Sequence, residues 1–166
     1  MHTKSRVVSA AALIAVCTAC ASQNAKAPTN LTPMEAIWSA SIQPTNQNSG
    51  QATASRRTMI NGDVTMVADK NFPQRTQIHI TLGTPNTTST VSWALVPDRC
   101  GTGGVPVLPV SAFSPIEVGP SGHGEVTVVI PLVLPTDGSY HVDIYEGQRA
   151  ELAAVQACAQ LRLRAK

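Results

Sequence analysis

Strict two-residue alternation is the feature that leaves this chain the fewest options. Over residues 75–82, Thr76, Ile78, Ile80 and Leu82 hold one set of positions, and Gln77, His79 and Thr81 hold the other. Successive side chains of an extended strand point to opposite faces, so one set faces a core and the other faces solvent. Residues 88–96 repeat the pattern with Val91, Trp93 and Leu95 on one face. Residues 140–145 repeat it again, setting Tyr140, Val142 and Ile144 against His141, Asp143 and Tyr145. A helical stripe needs a period near 3.6 and does not fit these runs.

Shorter runs fill the gaps. A first strand is predicted over 37–42, ending at Pro44, and two more over 116–118 and 123–130 around the turn Gly119-Pro120-Ser121-Gly122. Residues 51–59 and 63–68 read as a hairpin joined through Asn61-Gly62, a type I′ turn signal. Residues 105–114 form a proline-punctuated crossover, and Thr136-Asp137-Gly138-Ser139 is a turn. Residues 148–160 conflict, because helix formers dominate while Ala157, Ala159, Leu161 and Leu163 also alternate. The expectation there is a short helical piece near 150–154, then a strand from about Val155. About eight short strands at regular spacing predict an antiparallel sandwich or barrel.

The frequent Thr, Ser, Val, Gly and Pro, with only 13% charged residues, favour strands and turns over helices. Twelve Lys and Arg face ten Asp and Glu, but Lys4 and Arg6 lie in a segment expected to be removed. The remaining chain is neutral and lacks the concentrated basic surface that nucleic-acid binding requires.

That removable segment is a basic stretch at 2–6 followed by an apolar run at 7–16, too short for the roughly 20 residues a bilayer span takes. Cys17-Thr18-Ala19-Cys20 follows and resembles a bacterial lipoprotein signal. The resemblance implies that residues 1–19 are cleaved and that Cys20 is lipidated. Residues 20–33 then form a flexible tether and 34–166 the folded domain. Cys17 fits less well, because bulky Val16 precedes it. The alternative is an ordinary cleaved signal peptide with incidental cysteines. Ala21 after a lipidated cysteine implies, by the Gram-negative sorting rule, the outer membrane facing the periplasm.

Two cysteines then remain in the domain, Cys100 and Cys158. In an oxidising compartment such a pair is expected to bond. Closing a loop of about 58 residues contributes about 4 kcal/mol in the chain-entropy model. The competing reading, a reactive thiol pair, lacks the C-x-x-C spacing that lowers a thiol pKa.

An ordered set of residues resembles a known family. Trp93, Cys100-Gly101, Gly103-Gly104, Pro115-Ile116, Gly122, Gly124, Gly138-Ser139-Tyr140-His141-Val142 and Ala157-Cys158-Ala159-Gln160-Leu161 resemble bacterial CHRD-like domains and, more distantly, Cu,Zn superoxide dismutase. The resemblance covers roughly 35–164. It implies an all-β, Greek-key antiparallel β-sandwich, superoxide dismutase-like or immunoglobulin-like, with one disulfide from Cys100 to Cys158. It does not carry the chemistry with it. Ala94 and Val96 stand where relatives carry histidines, Asp98 where they carry glycine, and Tyr145 where they carry a final histidine. Past the signal the chain holds three histidines, His79, His123 and His141, too few for a copper–zinc pair.

A smaller metal site has weak candidates in His79, His141 and Asp143. It would require three of His79, His123, His141, Asp143 and Asp98 to converge on one point. The competing reading is that these are solvated polar-face residues. Met34, Met59 and Met66 are too widely spaced for a copper site and read as core fillers. Gly101-Thr102-Gly103-Gly104 lacks the lysine of a phosphate loop. No G-x-S-x-G elbow is present, and no spacing selects a pair among Glu117, Glu125, Asp143 and Glu146. Arg56-Arg57 and Arg162, Arg164 and Lys166 read as exposed strand-face charges. The sequence therefore predicts a lipid-anchored, non-catalytic binding or interaction module without a cofactor. Its expected partners are the membrane, through the N-terminal lipid, and an envelope protein or ligand. The alternative is a copper- or zinc-handling protein with a reduced dismutase-like site.

Overall fold

The computed structural model describes residues 31–45, 60–86, 88–147 and 154–166. The expected signal and most of the expected tether, the strand expected over 51–59 and nearly all of the helical piece expected near 150–154 lie outside them. Nine strands are described: β1 (Ala36–Pro44), β2 (Asn61–Ala68), β3 (Thr76–Gly83), β4 (Ser89–Pro97), β5 (Ile116–Val118), β6 (His123–Ile130), β7 (Tyr140–Glu146), β8 (Val155–Gln160) and β9 (Arg162–Ala165). The crossover between β4 and β5 holds a single 3₁₀ turn at Val110–Ala112. Among the described residues no helix is long and apolar enough to cross a membrane.

The strands pair antiparallel in the order β2-β3-β6-β5-β4-β7-β8-β1-β9, and β2 also pairs with β1. The sheet therefore closes on itself. β8 and β9 form one stave interrupted at Leu161, whose N–H donates to the Tyr140 carbonyl at 2.9 Å. Ala36–Ser39 pair with β9, and Gln43 and Pro44 pair with β8. The result is an eight-stave barrel, which corrects the expected Greek-key sandwich of two facing sheets. The physical reason is that alternation marks which face is buried, and both architectures need the same inward face. What decides between them is that β1 is paired along both edges.

Inward residues follow the predicted alternation. Trp38 and Ile42 of β1, Val64 and Met66 of β2, Ile78 and Ile80 of β3, Trp93 and Leu95 of β4 and Val142 and Ile144 of β7 are all buried. Both tryptophans are anchored at their polar edge: Trp38 Nε1–H donates to the Pro135 carbonyl at 2.7 Å and Trp93 Nε1–H to the Ser114 carbonyl at 2.8 Å. A buried indole needs such a partner for its N–H.

The Asn61-Gly62 turn is corrected as well. Gly62 lies inside β2, opposite Ile42 of β1 and Leu82 of β3. Its φ is 148° and a Cβ there would run into the Thr81 carbonyl. The dipeptide carries a turn signature because glycine tolerates positive φ, and here that tolerance serves a close approach of backbones.

β4 departs from simple alternation in a way that builds the site. Ser92, Ala94 and Val96 are buried although they face away from the barrel interior. The crossover after β4 folds back over them. Gly104 comes so near that a Cβ on it would stand 2.7 Å from Val96 Cγ1, and Val107 N–H donates to the Leu95 carbonyl at 2.9 Å.

Candidate functional site

Outside the barrel wall, β4, β7 and β8 carry a second, polar buried layer. His141 and Asp143 lie two apart on β7 and so share its outer face. Sheet register sets their neighbours: Gln160 and Val96 flank His141, while Cys158 and Ala94 flank Asp143. A disulfide joins Cys100 to Cys158 with Cα atoms 6.0 Å apart, as expected from the cysteine count. Cys100 N–H also donates to Gln160 Oε1 at 2.9 Å, so the loop is held by a covalent and a hydrogen bond. Under this cover His141 is 0% exposed and Asp143 6%.

Asp98 organises the layer through its backbone. It adopts φ 76°, the left-handed region that favours glycine. Its carbonyl accepts from Ser139 Oγ–H at 3.0 Å and faces His141 Nδ1 at 3.2 Å, with Gln160 Nε2 at 3.5 Å. A carbonyl only accepts, so Nδ1 of His141 carries a proton. The other ring nitrogen, Nε2, is buried and has no hydrogen-bond partner; Asp143 Oδ2 lies 3.5 Å away. Burial alone would lower the His141 pKa, but Asp143 and the Asp98 carbonyl outweigh it and raise it above the usual imidazole value. Tyr145, whose hydroxyl approaches Asp143 Oδ2 at 3.4 Å, is pushed up to about 12 by burial and by that carboxylate.

Beside this layer a groove of about 900 Å³ runs along the outside of β1, β2, β8 and β9, with the disulfide in its wall. Ser39, Ser41, Asp63, Thr65, Arg162 and Arg164 give it a polar lining. These positions alternate outward along three strands, and Arg162 lies opposite Ser39 in the β1–β9 register. Ser41 Oγ–H donates to Asp63 Oδ1 at 2.9 Å, which occupies part of that carboxylate.

The sequence candidates separate in space. His141 and Asp143 come together, but His79 sits on β3, with three strands between it and β7. There its Nδ1 lies 3.0 Å from Thr127 Oγ1 and 3.7 Å from Glu125, on a solvent-facing surface. His123 is exposed at the start of β6. Asp98 contributes its carbonyl, and its side chain is exposed. Met66 is buried in the core, Met34 is 40% exposed, and Met59 and the lipidation candidate Cys20 lie outside the described residues. One grouping was not anticipated from sequence. Cys158 joins His141 and Asp143 as the one group of three metal-ligand types among the described residues, with atoms within 4.8 Å of one another. Arg162 and Arg164 are exposed on β9, as the sequence implied for strand-face charges, and they also line the groove.

A copper–zinc pair of the dismutase type does not fit these residues. Ala94 and Val96, where such a site would need histidines, are buried and apolar and offer no donor atom. No protein-family model matches the chain, and no curated protein matches it.

Proposed function

We propose that this chain is an envelope-anchored, non-catalytic β-barrel lipoprotein that binds an anionic partner through the groove on β1, β2, β8 and β9. The observation that carries the reading is the groove itself. Its volume of about 900 Å³ falls in the range of ligand-binding clefts, and two arginines sit in its lining against one carboxylate. Arginine presents several N–H donors in a fixed fork suited to carboxylate or phosphate oxygens. Hydroxyls from Ser39, Ser41 and Thr65 supply further donors and acceptors. The N-terminal lipid proposed at Cys20 would hold the domain in the envelope, where anionic polymers and proteins are at hand.

Titration with a carboxylated oligosaccharide, against a neutral one of equal length, tests this. The expected result is that only the anionic probe shifts the backbone amide resonances of residues 39–43, 63–65 and 160–164. Arg162→Ala with Arg164→Ala should weaken binding at least tenfold. Shifts confined to another surface, or equal binding by the double variant, would exclude the groove.

A second reading, handling of copper or zinc, draws on other residues. It is favoured by the His141, Asp143 and Cys158 convergence alone, and in the disulfide-bonded protein the sulfur of that group is already bonded to Cys100.

A further inference from the structure

We propose that reduction of the Cys100–Cys158 disulfide converts the buried layer into a binding site for one zinc-class divalent ion held by Cys158, His141 and Asp143. Disulfide and metal then exclude one another. The inference sharpens the second reading above and does not use the arginines of the anionic-partner groove, although the disulfide lines that groove.

Four observations converge. The ligand atoms of His141, Asp143 and Cys158 lie within 4.8 Å of one another, and all three residues are buried. In a tetrahedral zinc site, with bonds of about 2.0–2.3 Å, ligand atoms stand roughly 3.5 Å apart, so side-chain shifts of about 1 Å close the set. Sheet register holds them there, since His141 and Asp143 share one face of β7 and Cys158 is the cross-strand partner of Asp143. Nε2 of His141 is buried with no hydrogen bond and faces the Asp143 carboxylate at 3.5 Å, itself a member of the set. Finally, Nδ1–H of the same ring is turned to the Asp98 carbonyl at 3.2 Å. Donation of the remote ring N–H to a carbonyl is how metal-binding histidines are ordinarily fixed, leaving the other nitrogen as the ligand.

In the oxidised protein the Cys158 sulfur is shared with Cys100, and the layer offers only one nitrogen and one carboxylate. A dithiol reductant transfers two electrons and two protons: the S–S bond breaks, two thiols form, and the reductant becomes a disulfide. An incoming ion displaces the thiol protons, because thiolate is the ligand form. Thiolate with imidazole and carboxylate suits zinc, whereas oxygen ligands alone would suit magnesium or calcium. The Cys100 thiolate, released by the same step, or a water takes the fourth position. Reoxidation withdraws the sulfur and releases the ion.

The test uses the mature protein, oxidised or reduced with a phosphine that is removed anaerobically, titrated with Co²⁺ and then with Zn²⁺. The reduced protein is expected to bind one Co²⁺ with a thiolate-to-metal charge-transfer band, at least 100-fold more tightly than the oxidised protein. His141→Ala, Asp143→Asn and Cys158→Ser should each weaken reduced-state binding at least tenfold, and Cys100→Ser with Cys158→Ser should remove the band. Reduced chains that had unfolded would bind through cysteines alone. Two readouts therefore accompany the titration: far-ultraviolet circular dichroism, and a zinc-dependent rise in Tm that His141→Gln abolishes. Equal affinity in both redox states, indifference to His141→Ala, or a reduced protein that zinc does not stabilise would each overturn the proposal. Stoichiometric binding to the oxidised protein would support metal handling without the redox control proposed here. The groove titration is unaffected by any of these outcomes.

Discussion

Asp98 shows how one backbone position can set the chemistry of a buried layer. Its carbonyl is aimed at His141 and Ser139 because the residue adopts φ 76°. Aspartate visits the left-handed region more readily than most residues, while β-branched side chains do so at a cost of about 1–2 kcal/mol. Asp98→Gly should therefore leave thermal stability within a degree or two, whereas Asp98→Val should lower it by about 1–2 kcal/mol in denaturant titrations. Equal effects of the two changes would show that the side chain, not the backbone, matters there. At the entrance to β1, Glu35 accepts from Thr32 Oγ–H at 2.7 Å and from Thr32 N–H at 3.1 Å. These bonds, the hydroxyl first, hold its carboxyl below the usual glutamate range. A depressed folded-state pKa stabilises the fold above the unfolded value and loses that contribution as pH falls through the folded one. The Thr32 amide resonance should accordingly titrate below pH 4.5, and Glu35→Gln should abolish that step.

Among the elements, the strands were the part of the fold most legible in the sequence. Residues 75–82 and 140–145 alternate as read, because the period of two is a local property of an extended chain. Gly62 was misread for an equally local reason: Asn-Gly signals a turn unless partner strands on both sides demand a residue without Cβ. The disulfide followed from counting cysteines once an exported, oxidising setting was assumed. It closes a separation of 58 residues, so Cys100→Ser or Cys158→Ser should cost about 4 kcal/mol in the chain-entropy model. Without added metal, either change or a reductant should lower the Tm by roughly 10 °C or more. An unchanged midpoint would show that the loop over β4, β7 and β8 contributes little. The convergence of His141, Asp143 and Cys158 was not legible, because it depends on the register between β7 and β8, two strands that local patterns do not align.

For the whole molecule, closure was the property that local patterns left undetermined. Sandwich and barrel share the same inward residues, and only the pairing of β1 with β2, β8 and β9 separates them. The proposed anchoring is tested at this scale: Cys20→Ala should move the protein from the membrane fraction to the soluble fraction, and persistent membrane association would place the anchor elsewhere. One pairing also orients the molecule. Ala36 lies opposite Ala165, so the chain enters and leaves the barrel at the same rim. Gln43, seven residues farther along β1, lies opposite Cys158, about 23 Å away at the rise of an extended strand. With the anchor proposed at Cys20, a label fused after Lys166 would therefore crowd the side from which the domain would hang. The Cys100–Cys158 disulfide, farther along the same stave, would stay clear of it.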